Sequence, residues 1–118
     1  MIKVVNKSKH KPTPDDFYIG RGSVLGNPYH SKESDHPQAL YKVETTEEAI
    51  EGYQEYFRNK FSSTDEGFRR QVQNLIEREL NDKDTNLVCY CAPDPCHGNF
   101  IKKFVEDTAN QIRWSSFM

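Results

Sequence analysis

The chain has 118 residues and a mass of 13.8 kDa, with 29 % charged residues and a formal net charge of −2. This length predicts a single domain over residues 1–118, built around one hydrophobic core. A slightly acidic chain has no general attraction for nucleic acid or an anionic membrane surface, which argues against DNA binding. No apolar run is close to the length of about 18 residues that a membrane-spanning helix requires. "MIKVVNKSKHK" lacks the apolar centre of a signal peptide, so we expect a cytoplasmic protein.

The first part of the chain predicts two short strands. "IKVVN" at 2–6 is rich in β-branched residues, and "FYIG" at 17–20 is short and aromatic. A loop containing two prolines separates them. Residues 31–44 have the composition of an exposed excursion, with a short extended segment at 40–43.

The middle of the chain predicts two helices. "TTEE" at 45–48 is a capping box, and apolar residues at helical spacing follow it as a core-facing stripe that includes Tyr53 and Phe57. A second helix is predicted to begin near Ser63 or Thr64 and to end at "NDKD".

The last part of the chain predicts a strand, "NLVCYC", followed by a helix in "CHGNFIKKFVEDTANQI". Asp94 suits the N-cap and Pro95 the first helical position, which puts Cys96 and His97 in the first turn. The resulting order of elements predicts a small α/β domain of two or three layers, with a short, mainly parallel sheet and three or four helices.

Two unusual loops are predicted to meet at one edge of this sheet. The strands at 17–20 and 86–91 are joined through helices, so we expect them to be parallel. The glycine loop "GRGSVLGNP" (residues 20–28) leaves the carboxyl end of one strand, and "APDPCHGN" leaves the carboxyl end of the other. Ligands bind at this edge in open parallel sheets. The sequence therefore predicts a ligand site between the two loops.

The glycine loop has features of an anion-binding segment. Gly20, Gly22 and Gly26 permit positive φ and leave backbone amides uncovered. Arg21 adds a planar set of donors suited to phosphate or carboxylate, and Asn27 can bond a ligand or its own turn. The pattern is neither GxGxxG nor a P-loop. An ordinary glycine-rich turn with a solvated arginine is the alternative interpretation.

All three cysteines lie within "CYCAPDPCHG", and this odd, clustered set does not make a disulfide framework. We predict no cofactor; the alternative is zinc bound by Cys89, Cys91, Cys96 and His97. Cys89 and Cys91 point to the same side of a strand, but structural zinc sites usually space cysteines as Cys-x2-Cys. A helix also turns neighbouring residues such as Cys96 and His97 about 100° apart. Small buried strand residues are a third interpretation of Cys89 and Cys91.

Cys96 and His97 are the predicted catalytic residues. A cysteine near a helix N-terminus is favoured as thiolate, although Asp94 would oppose that charge. The imidazole can serve as acid, base or donor. Amides in the first helical turn also make an anion site. The predicted ligand-binding residues are therefore Gly20, Arg21, Gly22, Gly26, Asn27 and Gly98.

The combination of "YIGRGSVLGNPY", "TTEEAIEGYQEYF" and "LVCYCAPDPCHGNFI" resembles a small phage and bacterial family known as domain of unknown function 4326. The pattern of that family is Ile-Gly-Arg, Gly-Asn-Pro, a Thr-x-Glu-Glu-Ala helix, Cys-x-Cys and Cys-His-Gly. The resemblance implies a phage origin, with the host cytoplasm as location, and supplies no activity. Its motif residues in this chain are Gly20, Arg21, Gly26, Asn27, Pro28, Cys89, Cys91, Cys96, His97 and Gly98.

These observations lead us to expect an enzyme that acts on a nucleotide or nucleoside at a glycosidic or phosphoester bond. The phosphate would bind at the helix start and Arg21, while His97 or a helix carboxylate moves the proton. Nucleophilic attack by Cys96 is the rival mechanism. A non-catalytic phage protein that sequesters a nucleotide or binds a host protein is the alternative. A zinc-stabilised interaction module is the second alternative.

Overall fold

The computed structural model describes residues 1–20, 22–31, 41–43, 46–90 and 96–115. The elements in chain order are β1 (Ile2–Asn6), β2 (Asp16–Tyr18), β3 (Tyr29–Ser31), β4 (Tyr41–Val43), α1 (Thr46–Phe61), α2 (Glu66–Leu80), β5 (Thr85–Cys89) and α3 (His97–Ser115). β1, β5 and β2 form a parallel sheet in that order, and β3 and β4 form a separate parallel pair. The predicted small α/β domain with a short parallel sheet is confirmed.

The central strand β5 is apolar because it has a neighbouring strand on both sides and four of its five residues are buried. Leu87 and Val88 are buried, as in other strands from the middle of a parallel sheet. Leu87 lies in register with Val4 of β1 and Phe17 of β2, and Val88 lies in register with Tyr18. Since side chains alternate along a strand, these two rows lie on opposite faces of the sheet.

The helices bury the face of the sheet that carries Leu87. α2 and α3 contact each other and β5, while α1 packs on both helices and on the β3–β4 pair. Tyr53 and Phe57, the middle of the apolar stripe predicted for α1, are completely buried, so their assignment to the core is confirmed. The largest other side chains of the core are Phe68, Ile2, Ile19, Leu25, Leu75, Leu87 and Ile101.

The α1–α2 junction shows why α2 begins later than its sequence pattern predicts. The side chain of Asp65 accepts a hydrogen bond from the Phe68 amide at 3.1 Å and caps the helix that starts at Glu66. The hydroxyl of Ser63 donates to the Lys60 carbonyl at 2.7 Å and thus belongs to the end of α1. Both a carboxylate and a hydroxyl near this junction are suited to cap α2, and the carboxylate of Asp65 is the one that does so.

β1 has the predicted bounds, whereas β2 and β5 are shorter than predicted and one short strand is absent from the prediction. β2 ends at Tyr18, although the Ile19 amide still bonds to β5, and β5 ends at Cys89. β3 has no predicted counterpart, whereas its partner β4 corresponds to the extended segment expected at 40–43. The rest of the predicted excursion, at 32–40, lies outside the described residues.

Candidate functional site

The carboxyl ends of the three parallel strands lie side by side at one edge of the sheet. Beyond β1, the Lys7 amide donates to the Cys89 carbonyl at 2.7 Å. Beyond β2, the Ile19 amide donates to the Val88 carbonyl at 2.9 Å. Both bonds continue the ladder past the ends of the strands. The segments that follow β1, β2 and β5 therefore leave from neighbouring points, at the edge where open parallel sheets bind ligands.

The glycine loop is a compact turn closed by its own backbone. Ser23 donates to the Gly20 carbonyl through its amide at 3.1 Å and its hydroxyl at 2.6 Å, and the Gly26 amide donates to the Ser23 carbonyl at 3.0 Å. A Cβ at Gly26 would lie 2.5 Å from the Gly20 carbonyl oxygen, so this approach requires glycine. Gly22 is exposed at the tip with a φ of 87°, in the left-handed region.

Three buried hydrogen bonds hold the loop from the side of the core. They run from His97 Nε2 to the Ile19 carbonyl at 2.5 Å, from the Tyr53 hydroxyl to the Leu25 carbonyl at 2.7 Å, and from Asn27 Nδ2 to the Ala49 carbonyl at 3.1 Å. The carbonyl oxygens of Ile19, just before the loop, and of Leu25, within it, thus point into the protein. Within the described residues, no acceptor is bonded to the backbone amides of Gly22 and Val24.

The hydroxyl of Tyr53 acts as a hydrogen-bond donor to the glycine loop. Burial raises the pKa of its phenol well above the usual value, and the neighbouring Tyr56 and Cys96 raise that pKa further. The hydroxyl therefore stays protonated, and able to donate, at neutral pH. Its ring also contacts the imidazole of His97 edge to face, with 4.8 Å between ring centroids. Tyr53 and His97 together hold the backbone at Leu25 within the glycine loop and at Ile19 just before it.

Cys96 occupies the N-cap position of α3. Its carbonyl accepts from the Asn99 amide at 3.1 Å, and its Sγ accepts from the Gly98 amide at 3.3 Å. Asp94 and Pro95, predicted as N-cap and first helical residue, lie outside the described residues. The described helix begins one residue after Cys96, so the predicted start is too early. A thiol therefore occupies the N-cap position for which a carboxylate is expected.

Gly98 lets α3 approach the sheet closely. A Cβ at this position would lie 2.8 Å from Ile19 Cδ1 and 3.1 Å from Val4 Cγ1. Only a residue without a side chain therefore fits without displacing both neighbours. The amide of Gly98, one of those predicted to bind an anion, donates to the Cys96 sulfur.

The two predicted catalytic side chains are buried. Cys96 is 4 % exposed and His97 is 6 % exposed, and both make the protein contacts described above. Of the predicted ligand-binding residues, Gly22 is exposed and Gly26 is half-buried. The other described ones are buried: Gly20, Asn27 and Gly98. Arg21 lies outside the described residues. The structure thus brings the glycine loop and the start of α3 together, with most of these groups beneath the surface.

The structure describes three of the four residues of the alternative zinc site: Cys89, Cys96 and His97. Cys89 and Cys96 face each other with 3.5 Å between their sulfur atoms. His97 directs Nε2 to the Ile19 carbonyl, and Cys91 lies outside the described residues. Across the described part of the chain, no three His, Cys, Asp or Glu side chains are grouped so as to hold a metal ion.

Sequence reasoning missed a cluster of three exposed side chains, Lys7, Tyr18 and Tyr90, which we call the sheet-edge cluster. Lys7 Nζ lies 4.7 Å from the centroid of the Tyr18 ring and 5.8 Å from that of Tyr90. The two rings meet edge to face at 6.4 Å. Tyr18 is 39 % exposed and Tyr90 58 %. The Tyr18 ring also covers Gly20, where any Cβ would collide with it.

Each member of the sheet-edge cluster stands at or just beyond the end of a different strand. Tyr18 ends β2, Lys7 follows β1 and Tyr90 follows β5. Strand alternation predicts that the last two lie on the same face as Val5 and Val88. Their meeting depends on the strand order β1-β5-β2, which the sequence pattern does not contain.

A short parallel sheet, helices on one of its faces and loops at its carboxyl edge define a small α/β domain. The chain belongs to the family described as domain of unknown function DUF4326, whose model matches residues 2–107. This match confirms the family to which the sequence shows a resemblance. No curated protein and no solved structure matches the chain. None of the described helices combines the length and apolar character that crossing a bilayer requires.

Proposed function

We propose that this protein binds a nucleotide at the carboxyl edge of its three-stranded sheet. The observation that carries the proposal is the sheet-edge cluster, in which one ammonium group and two exposed aromatic rings meet where the parallel strands end. A nucleotide presents a flat aromatic base and an anionic phosphate. Tyrosine rings stack on bases of any sequence, and an ammonium group attracts phosphate. The cluster therefore offers a matching partner to each part of such a ligand.

The glycine loop supports the same proposal from the adjacent side. The carbonyls of Ile19, just before the loop, and of Leu25, within it, accept hydrogen bonds from His97 and Tyr53, while the exposed tip at Gly22 carries amides suited to an anion or a ribose hydroxyl. Because buried hydrogen bonds already fix the loop, little conformational freedom is lost when a ligand binds. Arg21, between two glycines of this loop, remains a predicted phosphate ligand.

The contacts of the predicted catalytic pair favour binding over turnover. His97 holds a backbone carbonyl and Cys96 caps a helix, so both groups already serve the protein's own structure. A general base or nucleophile has to reach the reacting atom, and groups buried this deeply do not reach one in a substrate as large as a nucleotide. We therefore propose ligand binding as the function, and the experiment below also measures cleavage of a glycosidic or phosphoester bond.

Binding is tested by titration calorimetry with the 5′-monophosphates of adenosine, guanosine, cytidine and uridine, the matching nucleosides and inorganic phosphate. We expect at least one monophosphate to bind more tightly than its nucleoside or phosphate alone. Tyr90→Leu and Lys7→Gln should each weaken that binding roughly tenfold, the effect of about one stacked base or one phosphate contact.

Matched controls remove an aromatic ring or an ammonium group from other exposed positions. Trp114→Leu removes an exposed aromatic ring from α3, and Lys83→Gln removes an exposed ammonium group just before β5. Both should leave the affinity unchanged. The absence of binding to every compound in the panel, or binding unaffected by Tyr90→Leu and Lys7→Gln, would overturn the proposal. Chromatography of the incubated ligand then separates the two hypotheses, since released base or phosphate identifies an enzyme and an intact ligand a binding protein.

A further inference from the structure

Cys89 and Cys96 form a buried pair of thiols that the proposed ligand contacts do not use. Their sulfur atoms lie 3.5 Å apart, and neither is joined by a disulfide. Cys89 is the last residue of β5, and Cys96 directly precedes α3. We infer that these two thiols are a redox site, at which a peroxide-class oxidant forms a reversible intramolecular disulfide.

The geometry places the two sulfur atoms close to bonding distance. A disulfide has a sulfur–sulfur separation of about 2.05 Å, so the atoms have to approach by roughly 1.5 Å from their present 3.5 Å. The chain between them is the short segment 90–95, and the two sulfur atoms already touch within the core. The odd number of cysteines argues against a disulfide framework in the sequence, but within the described residues the fold places Cys89 and Cys96 in contact as a pair.

The surroundings of the two thiols differ, which sets the order of the reaction. Cys96 Sγ accepts the amide hydrogen of Gly98 at the positive end of the α3 dipole, and both effects stabilise negative charge on this sulfur. Cys89 belongs to the same apolar core cluster as Cys96, but it ends a strand instead of preceding a helix, so its surroundings favour a thiolate less. Cys96 is therefore the thiol that reacts first with the oxidant, and Cys89 is the one that resolves the product.

The step balances with hydrogen peroxide as the oxidant. Cys96 sulfur attacks one peroxide oxygen, the O–O bond breaks, and a sulfenic acid and one water form. Cys89 sulfur then attacks the Cys96 sulfur and displaces the hydroxyl group, which leaves as a second water with the proton from Cys89. Two thiols lose two electrons, and one peroxide gains them. Dithiothreitol reverses the bond by thiol–disulfide exchange.

The test uses the full chain with Cys91→Ser, which retains only the inferred pair. Chymotrypsin cleaves after Tyr90, between Cys89 and Cys96, so a disulfide keeps two fragments together that would otherwise separate. Protein treated with hydrogen peroxide should give the joined fragments, with two hydrogens fewer in mass, and dithiothreitol should release them. The oxidised protein should also unfold at a higher temperature, because the cross-link restricts the unfolded chain.

Two controls define the result. Cys89→Ser and Cys96→Ser, each combined with Cys91→Ser, should give no joined fragments and no rise in unfolding temperature. Circular dichroism establishes that each variant is folded. If Cys91→Ser is not folded, the fragments of oxidised wild-type protein are mapped instead. Separate fragments after peroxide treatment, with both thiols still open to alkylation after unfolding or oxidised individually to sulfinic acid, would overturn the inference. Joined fragments found only in covalent dimers on a non-reducing gel would overturn it equally.

Discussion

The imidazole of His97 donates a hydrogen bond from Nε2 to the backbone carbonyl of Ile19, and so ties the first residue of α3 to the start of the glycine loop. Because a carbonyl oxygen only accepts, Nε2 carries the proton in this contact. The ring of Tyr53 packs edge to face on this imidazole, and its hydroxyl bonds to the Leu25 carbonyl further along the loop. Two adjacent aromatic side chains thus fix a loop that has little apolar content of its own.

Replacing His97 by alanine should destabilise the protein by about 2–4 kcal/mol. The substitution leaves the buried Ile19 carbonyl without its donor and opens a cavity beside Tyr53, and the two losses add. Urea unfolding measures the change. His97→Gln keeps an amide donor on a side chain of similar reach, so we expect it to recover part of the loss. Equal stability of His97→Ala and wild-type protein would contradict the structural role assigned to this imidazole.

Two glycines at the same helical position should respond to alanine in opposite directions. Gly98 is the second residue of α3 and Gly67 the second residue of α2. A Cβ at Gly98 would come within 2.8 Å of Ile19 Cδ1, whereas a Cβ at Gly67 would meet only Asp65 Oδ1, at 3.6 Å. Overpacking should therefore make Gly98→Ala less stable by about 1–3 kcal/mol. Reduced freedom of the unfolded chain should make Gly67→Ala more stable by up to about 1 kcal/mol.

Thermal and urea unfolding of the two alanine variants provide the comparison. The Gly67→Ala variant serves as the control for helix propensity, because both substitutions lie in the first turn of a helix. Similar stability changes in both variants would show that the close approach of α3 to the sheet is not tightly packed.

Much of the fold could be predicted because its signals are local. The apolar stripe through Tyr53 and Phe57 and the apolar run of β5 each identify an element and its buried face. β3 has no such signal, because a three-residue strand is too short for a pattern and depends on a partner further along the chain. Residue preference predicts Asp94 as the N-cap of α3, and by the same preference the observed Cys96 is a poor N-cap.

The sequence predicts at which edge of the sheet the candidate site lies, but not which of its side chains are exposed. Parallel topology puts the glycine loop and the start of α3 at one edge, and the His97–Ile19 bond shows that they meet there. The burial of His97 depends on α1, whose approach the local sequence does not encode. Tyr18 and Tyr90 are far apart in the chain and become neighbours only through the order of the strands. Local patterns therefore identify the elements, and tertiary contacts decide which of their polar groups remain exposed.

Removing the hydroxyl of Tyr53 should lower the free energy of unfolding while leaving the aromatic ring in the core. Tyr53→Phe leaves the buried Leu25 carbonyl without its donor, and we expect a loss of about 1–3 kcal/mol in the free energy of unfolding. Tyr90→Phe removes a hydroxyl from a largely exposed ring and should change the stability by less than about 0.5 kcal/mol. Both are measured by urea unfolding at neutral pH. A loss in Tyr53→Phe no greater than that in Tyr90→Phe would show that the hydroxyl does not hold the glycine loop.

Asp16 should make the stability of the protein fall in acid. Partial burial acts to raise the pKa of its carboxyl, but hydrogen bonds from the Thr13 amide and from the side chains of His10, Asn86 and Thr13 lower that pKa more, to far below its usual value. The pKa in the folded state is then below the unfolded value of about 3.9. The stabilisation from Asp16 is therefore complete above that pH and is lost as the pH falls towards the folded pKa.

The acid dependence is measured by urea unfolding midpoints between about pH 7 and pH 2.5, a range that spans the unfolded pKa of aspartate. Asp16→Asn should be less stable than wild type at neutral pH, and the difference should narrow as the pH falls below about 4 because only wild type then takes up the proton. Asp107→Asn removes an exposed carboxylate on α3 that pairs with Lys103, and should follow the wild-type curve closely. Parallel curves for Asp16→Asn and wild type would show that the four hydrogen bonds around this carboxylate do not favour its charged form.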